Sequence, residues 1–314
     1  MDTNLKKKFL FKVILLCMPF LFLFSAIILV DPYNYFRVYE VSSFEKKNQV
    51  SSKINYALWK IIQYKELKCP NIILGDSRMN LFTSENIKKL TGKEIYNFSY
   101  GGATLDDICA TFWYAAKNVR LKTVYMGFNF SLFNLFNSKD RVSGAIATSN
   151  NPLFMLINRD VLSSSVILMR QLFTEKSNKI EKPPMSKDGF WDYQLRENAR
   201  RYYKHYAYPL RLLSELQKIN SYCVQNNISL IFIIPPTHVS LQRKVSEFGI
   251  EEFYEQFKKD LQLIGPIIDF NYANTFTQER NNFGDPFHIK GTETSIFINE
   301  IWGGQKKYGQ YSYP

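Results

Sequence analysis

Between Phe9 and Val30 the chain carries only two polar side chains, Lys12 and Ser25. As a helix rising about 1.5 Å per residue, the run reaches ~33 Å and can cross a hydrocarbon core of ~30 Å. Pro19 is tolerable in such a span. A cleaved secretory leader would have a shorter apolar stretch ending in small residues, whereas Ile27, Ile28, Leu29 and Val30 run straight into Asp31. We read residues 9–30 as an uncleaved, single-pass transmembrane anchor in contact with the lipid bilayer, with a cleaved leader and a buried core helix as the rivals. Lys6, Lys7 and Lys8 precede the span. By the positive-inside rule, residues 1–8 then form a cytoplasmic tail, and everything after Asp31 lies outside the cytoplasmic membrane, in the periplasm or beyond it.

The 314 residues leave room after the anchor for one α/β domain with appendages. Residues 31–69 open with Asp31-Pro32-Tyr33-Asn34 and continue polar and rich in Lys and Ser, as in a stalk, before a helix holding Leu58, Trp59, Ile61 and Ile62. From Pro70 onward, short apolar runs alternate with helical patterns. The runs are 71–75, 95–98, 123–128, 228–234 and, more weakly, 266–269; the helices centre on 83–90, 104–117, 208–226 and 249–262. Strands separated by helices predict an α/β fold, a three-layer α/β/α sandwich around a mostly parallel sheet. Residues 70–314 form this domain, and the long gap between the third and fourth strands, about 131–207, is an insertion or lid. That gap includes a stretch from Lys176 to Lys187 with Pro183-Pro184 and an aromatic, basic one from Phe190 to Tyr206.

A formal charge of +12 without a recognisable nucleic-acid module makes nucleic acid a poor partner. It fits either a solvated basic surface or attraction to anionic lipid or an acidic envelope polymer. Cys17 lies in the span, and Cys69, Cys109 and Cys223 are far apart, so neither a zinc site nor a disulfide framework is indicated. We expect these thiols to be small buried residues. The few histidines lack ligand spacing, so no metal or other cofactor is implied.

The first strand ends at Leu74 and is followed by Gly75-Asp76-Ser77-Arg78. In open α/β sheets ligands bind beyond the carboxyl ends of the strands, which places a Ser77 hydroxyl where a site belongs. Alone, Gly-Asp-Ser equally describes a helix-capping turn. Asn129 equally suits a turn after a strand, Asp285-Pro286 equally starts a turn, and His288 is equally a structural histidine. Their joint order carries more. Gly75-Asp76-Ser77, then Asn97-Phe98-Ser99-Tyr100-Gly101-Gly102-Ala103-Thr104, then Gly127-Phe128-Asn129, then Asp285-Pro286-Phe287-His288 follow one another at strand ends or in a late loop.

These blocks resemble the four blocks of the SGNH/GDSL hydrolases and span residues 75–288. The resemblance implies a flavodoxin-like α/β/α fold, with Ser77 as nucleophile, His288 as base and then acid, and Asp285 orienting the imidazole. The oxyanion would meet the backbone N–H groups of Ser77 and Gly102 and the Asn129 amide; Gly102 fits because a residue without Cβ admits close approach. Two departures stand out: Phe130 where many members carry Asp, and the bulky Arg78 beside the nucleophile. Arg78 either grips an anionic substrate or pairs with an internal carboxylate, and His238 after Pro235-Pro236-Thr237 is either a substrate contact or a plain loop histidine.

The anchor plus this domain is similar in layout to bacterial envelope proteins of teichoic acid D-alanylation and alginate acetylation. That similarity implies an esterase or O-acyltransferase acting on a cell-envelope glycan or another acyl ester, with a membrane-bound O-acyltransferase as partner. The rival is a catalytically silent module that binds glycan or scaffolds an assembly complex.

Overall fold

The computed structural model describes residues 3–38, 42–173 and 185–314; most of the 176–187 stretch singled out above lies outside them. The chain divides into two compact units, one formed by Met1–Glu66 with Gly144–Ile180, the other by Leu67–Ser143 with Glu181–Pro314.

The larger unit is built on a six-stranded sheet. Its strands are β1 (Asn71–Leu74), β2 (Tyr96–Asn97), β3 (Thr123–Gly127), β4 (Ser229–Ile234) and β5 (Ile267–Asp269), while β6 (Phe283–Asp285) and β7 (His288–Ile289) form a separate hairpin and β8 (Gln310–Ser312) closes the main sheet. The order is β2-β1-β3-β4-β5-β8. The first five strands pair in parallel, with Ile72 opposite both Tyr96 and Val124, and β8 runs antiparallel to β5.

Side chains alternate across each strand, so each sheet face needs its own cover. Ile73, Tyr125, Ile233 and Ile268 join Ile87, Phe297 and Trp302 on one side, beneath the Ser84–Thr91 and Thr294–Ile301 helices. Val124, Met126 and Phe232 are buried on the other. Helices Leu105–Asn118, Leu210–Gln225 and Glu251–Ile264 bury Phe112, Leu216, Ile219, Phe257 and Leu261. The Leu105–Asn118 helix starts where expected because Thr104 and Asp107 form a reciprocal capping box.

The sequence pattern missed β8. This polar edge strand is held through Glu300, whose buried carboxylate accepts backbone N–H groups from Lys307 (2.9 Å), Tyr308 (2.9 Å) and Gly309 (2.7 Å).

The smaller unit is helical. Thr3–Val30 is one helix, and its Lys6–Val30 segment is long and apolar enough to cross a membrane. Phe9, Phe11, Leu16 and Phe22 are exposed, which rules out the core-helix rival. Residues 31–69 are not an extended stalk. Asp31 is fully buried and its carboxylate accepts backbone N–H groups from Tyr35, Phe36 and Arg37. Helices Phe44–Ile54 and Tyr56–Leu67 follow. The stretch 131–207, read as an insertion or lid, is divided between the two units. Its Arg159–Phe173 helix packs Leu168 with Val30 and Val50, so that part of the insertion completes the amino-terminal unit. The later part returns to the sheet domain, where Trp191 joins the core.

One packing detail governs the nucleophile turn. A Cβ at Gly127 would lie 1.9 Å from Met79 Cγ, and one at Gly75 would lie 2.5 Å from the same atom. Two glycines thus leave the space that a fully buried Met79 fills. Gly127→Ala should therefore lower the urea midpoint by an amount worth about 1–3 kcal/mol. Combined with Met79→Ala it should cost less than the sum of the two single changes, and strict additivity would refute this packing account.

Candidate active site

The chain leaves β1 for β2 on one side and then crosses to β3 on the other. This strand order opens a crevice beyond the carboxyl ends of β1 and β3. Ser77 follows β1, Asn129 follows β3 and the Gly101-Gly102 loop follows β2. The β6–β7 hairpin, in which Asp285 pairs with His288, supplies the fourth piece.

These parts meet. Ser77 Oγ lies 2.7 Å from His288 Nε2. His288 Nδ1 lies 2.9 Å and 3.0 Å from the two Asp285 oxygens. A ring nitrogen facing a carboxylate carries the proton and donates it, which leaves Nε2 as the acceptor for the serine hydroxyl. The tight turn also hydrogen-bonds internally, with Phe287 N–H donating to Asp285 Oδ1 at 2.8 Å. Ser77 is half-buried and the His288 side chain is 30% exposed, so the pair opens to solvent.

Asp76 is the residue whose role sequence reasoning missed. It caps the short Ser77–Asn80 helix by accepting from Arg78 N–H. Its Oδ2 also accepts from Arg78 Nη1 at 2.9 Å and from Asn129 Nδ2 at 2.8 Å. Asn129 Oδ1 in turn accepts from Leu132 N–H and from the Ser131 hydroxyl. The Asn129 amide is therefore fixed in orientation, with one of its two N–H groups on Asp76 and the second without a partner among the described residues. Asn97 secures the other end of the nucleophile turn, donating to the carbonyls of Met79 (2.8 Å) and Phe82 (2.7 Å). The only hint of these roles was an Asp at the N-cap position and an Asn after a strand.

Gly102 stands at φ +63°, and a Cβ there would meet nothing within 4 Å. The left-handed backbone at this position favours glycine. Its carbonyl accepts from Arg141 Nη2 at 2.6 Å, and Arg141 pairs with the fully buried Asp107 at 3.0 Å. A long-range ion pair thus holds the Gly101-Gly102 loop, and nothing in the sequence pattern flagged Arg141.

Both further substrate candidates have partners within the protein. Arg78 is only 6% exposed, paired with Asp76 and donating from Nε to the Phe287 carbonyl at 3.3 Å. Its charge is spent internally, and it joins the nucleophile turn to the histidine hairpin. His238 is buried between the rings of Trp191 and Phe283. It caps a helix, its Nδ1 accepting from Ser240 N–H at 3.1 Å. Cys109 and Cys223 are buried, while Cys69 is only partly so.

No protein-family model matches the chain, and no curated protein matches it in sequence. Solved structures similar to it include a candidate acylhydrolase from Bacteroides fragilis NCTC 9343, at 12% identity and a TM-score of 0.37, covering 78% of this chain and 96% of that one. Another is a candidate platelet activating factor from Streptococcus pneumoniae, at 10% identity and a TM-score of 0.43, covering 84% and 99% respectively.

Two larger clefts of the sheet domain lie away from Ser77. One, of about 360 Å³, sits at the amino ends of β1 and β2 beside Cys69 and Tyr96. The other, of about 540 Å³, lies between Lys258, Asp269 and β8. Among the described residues, no three His, Cys, Asp or Glu side chains cluster as metal ligands.

Burial lowers the His238 pKa below its ordinary 6.5. The unfolded chain therefore takes up this proton first as pH falls, so stability should drop as pH passes below 6.5. His238→Asn, which keeps a capping acceptor, should flatten that decline in a urea series run from about pH 7 to 5. An unchanged slope would show that His238 is not its source.

Proposed function

We propose that this protein is a serine-dependent acyl-ester hydrolase or O-acyltransferase of the SGNH type, anchored by residues 9–30 and acting on cell-envelope polysaccharide outside the cytoplasmic membrane. The observation that carries the reading is the continuous hydrogen-bond chain Ser77 Oγ, His288 Nε2, His288 Nδ1 and Asp285.

In this reading Ser77 Oγ attacks the acyl carbonyl while its proton passes to His288 Nε2, and Asp285 stabilises the imidazolium that forms. The carbonyl oxygen gains the negative charge. The Ser77 N–H, first in its helix and so without an intrahelical partner, serves it together with the Gly102 N–H and the remaining Asn129 N–H. Collapse expels the alcohol, which takes the proton from His288, and leaves an acyl ester on Ser77. Water or a sugar hydroxyl then attacks that ester, with His288 again removing the proton.

A solvent-open nucleophile suits a polymer better than a small molecule that needs enclosure. The net charge of +12 favours an acidic polymer. A membrane-bound O-acyltransferase fits as the supplier of acyl groups if transfer is the reaction.

The full chain in detergent should release p-nitrophenol from p-nitrophenyl acetate, and Ser77→Ala should reduce kcat/KM by ~10⁴ or more without moving the thermal midpoint. Asn129→Ala should cost about 10²- to 10³-fold in kcat. Peptide mass spectrometry after proteolysis at low pH should find the acetyl group on the Ser77 peptide. Equal rates for Ser77→Ala and the parent would sink the enzymatic reading.

A further inference from the structure

The apolar helix that begins the chain does not end where its protein packing begins. Every side chain from Phe9 to Phe22 is exposed, whereas from Leu23 to Val30 most are at least partly covered, with Ile27 and Val30 buried and Ser25 and Leu29 still exposed. The uncovered stretch measures about 21 Å along the axis, whereas a hydrocarbon core needs ~30 Å. The apolar Lys6–Val30 segment can meet that length only if the last turns of the anchor, already wrapped by protein, also lie within the hydrocarbon. Whatever packs against those turns must then present an apolar exterior.

The Pro152–Ile157 helix does so. It approaches the anchor helix backbone to within 8 Å and packs against the Arg159–Phe173 helix, which also approaches the anchor. Its Met155 is fully buried, but Leu153, Phe154 and Ile157 are 65%, 47% and 69% exposed. Positions i, i+1 and i+4 share one side of a helix, so the three form a single apolar face. No charged residue occurs from Val142 to Asn158. Asn151 caps the helix at one end and Asn158 follows it at the other, giving a short apolar step bracketed by neutral polar residues. In water such a face has no cover; in acyl chains it continues the surface of the anchor.

We infer that the Pro152–Ile157 helix is a second membrane contact, its Leu153, Phe154 and Ile157 face seated among the acyl chains of the leaflet from which the anchor emerges. The inference rests on the membrane-anchored reading of residues 9–30. The smaller unit is then a partly submerged collar around the last turns of the anchor rather than a body held clear of the bilayer.

Carbene footprinting of the full chain in vesicles of phosphatidylethanolamine and phosphatidylglycerol tests this. One sample carries a phospholipid with a diazirine at the acyl end, the other a water-soluble diazirine. Peptides from Phe9–Phe22 report the anchor, and the peptide bearing Leu263, which is 79% exposed in the sheet domain, is the aqueous control. The Leu153–Ile157 peptide should give a lipid-to-aqueous labelling ratio at least about fivefold above the Leu263 peptide, in line with the anchor. Lipid labelling of the anchor with aqueous labelling of Leu153–Ile157 would overturn the collar and leave the anchor standing. Protection of Leu153–Ile157 from both reagents would overturn it in favour of a covering protein surface, such as a second copy. Absence of lipid labelling on the anchor peptides would overturn the membrane reading itself, and the inference with it.

Discussion

A buried carboxylate, Asp76, holds the candidate site together. Its two oxygens receive the Arg78 backbone N–H, the Arg78 guanidinium and the Asn129 amide. Through Arg78 Nε they also reach the Phe287 carbonyl, next to His288. Three chain segments that leave the sheet at different points are thereby tied to one atom group. An ion pair buried to this degree adds little net stability. Removing one partner, however, strands the other charge, at about 3–5 kcal/mol. Its value is positional: it holds the nucleophile turn to the turn after β3, and the Arg78 guanidinium carries the tie on to the histidine hairpin.

The sheet places these segments before any side chain does. Reversal of strand order between β1 and β3 leaves both carboxyl ends open on the same edge, and there the turns after them come within hydrogen-bond reach. The glycines serve this arrangement in different ways. Gly75 and Gly127 yield volume to Met79, which fixes the floor under Ser77, whereas Gly102 supplies a left-handed backbone that Arg141 then secures. Rigidity in the crevice thus comes from the packing of Met79 below and from charged anchors around it, while the Ser77–His288 pair itself stays open to solvent.

Much of the fold was legible along the chain because buried parallel strands are covered on both faces and read as unbroken apolar runs. Ile228 to Ile234 is the plainest case, and the helices Ser84–Thr91 and Leu105–Asn118 carry their own caps in Thr83 and Thr104. Gln310–Ser312 was not legible, because an edge strand of three polar or aromatic residues has no apolar signature, and its hold comes from Glu300 across a turn. The helical packing of residues 42–67 and 159–173 was not legible for a related reason. Local polarity reported solvent exposure on one side of each helix, but not that Val50 and Leu168 would find each other over more than a hundred residues.

The candidate site divides along the same line. Ser77, Asp285, His288, Gly102 and Asn129 were named because four sequence blocks resemble those of the SGNH/GDSL hydrolases, and only Ser77, Gly102 and Asn129 follow apolar runs that local periodicity marks as strands. Arg78 and His238 could not be judged that way. Whether a cation or an imidazole meets a ligand or an internal partner depends on what the fold brings alongside, here Asp76 and the Phe287 carbonyl for one, and Trp191, Phe283 and Ser240 for the other. The sequence by itself determined the strand and helix order, the apolar amino-terminal helix and the set of reactive groups, because these rest on short-range patterns and side-chain chemistry. Only the tertiary structure decided which polar groups are spent on one another and which remain free to act, because burial and partnership arise from contacts between segments far apart in the chain.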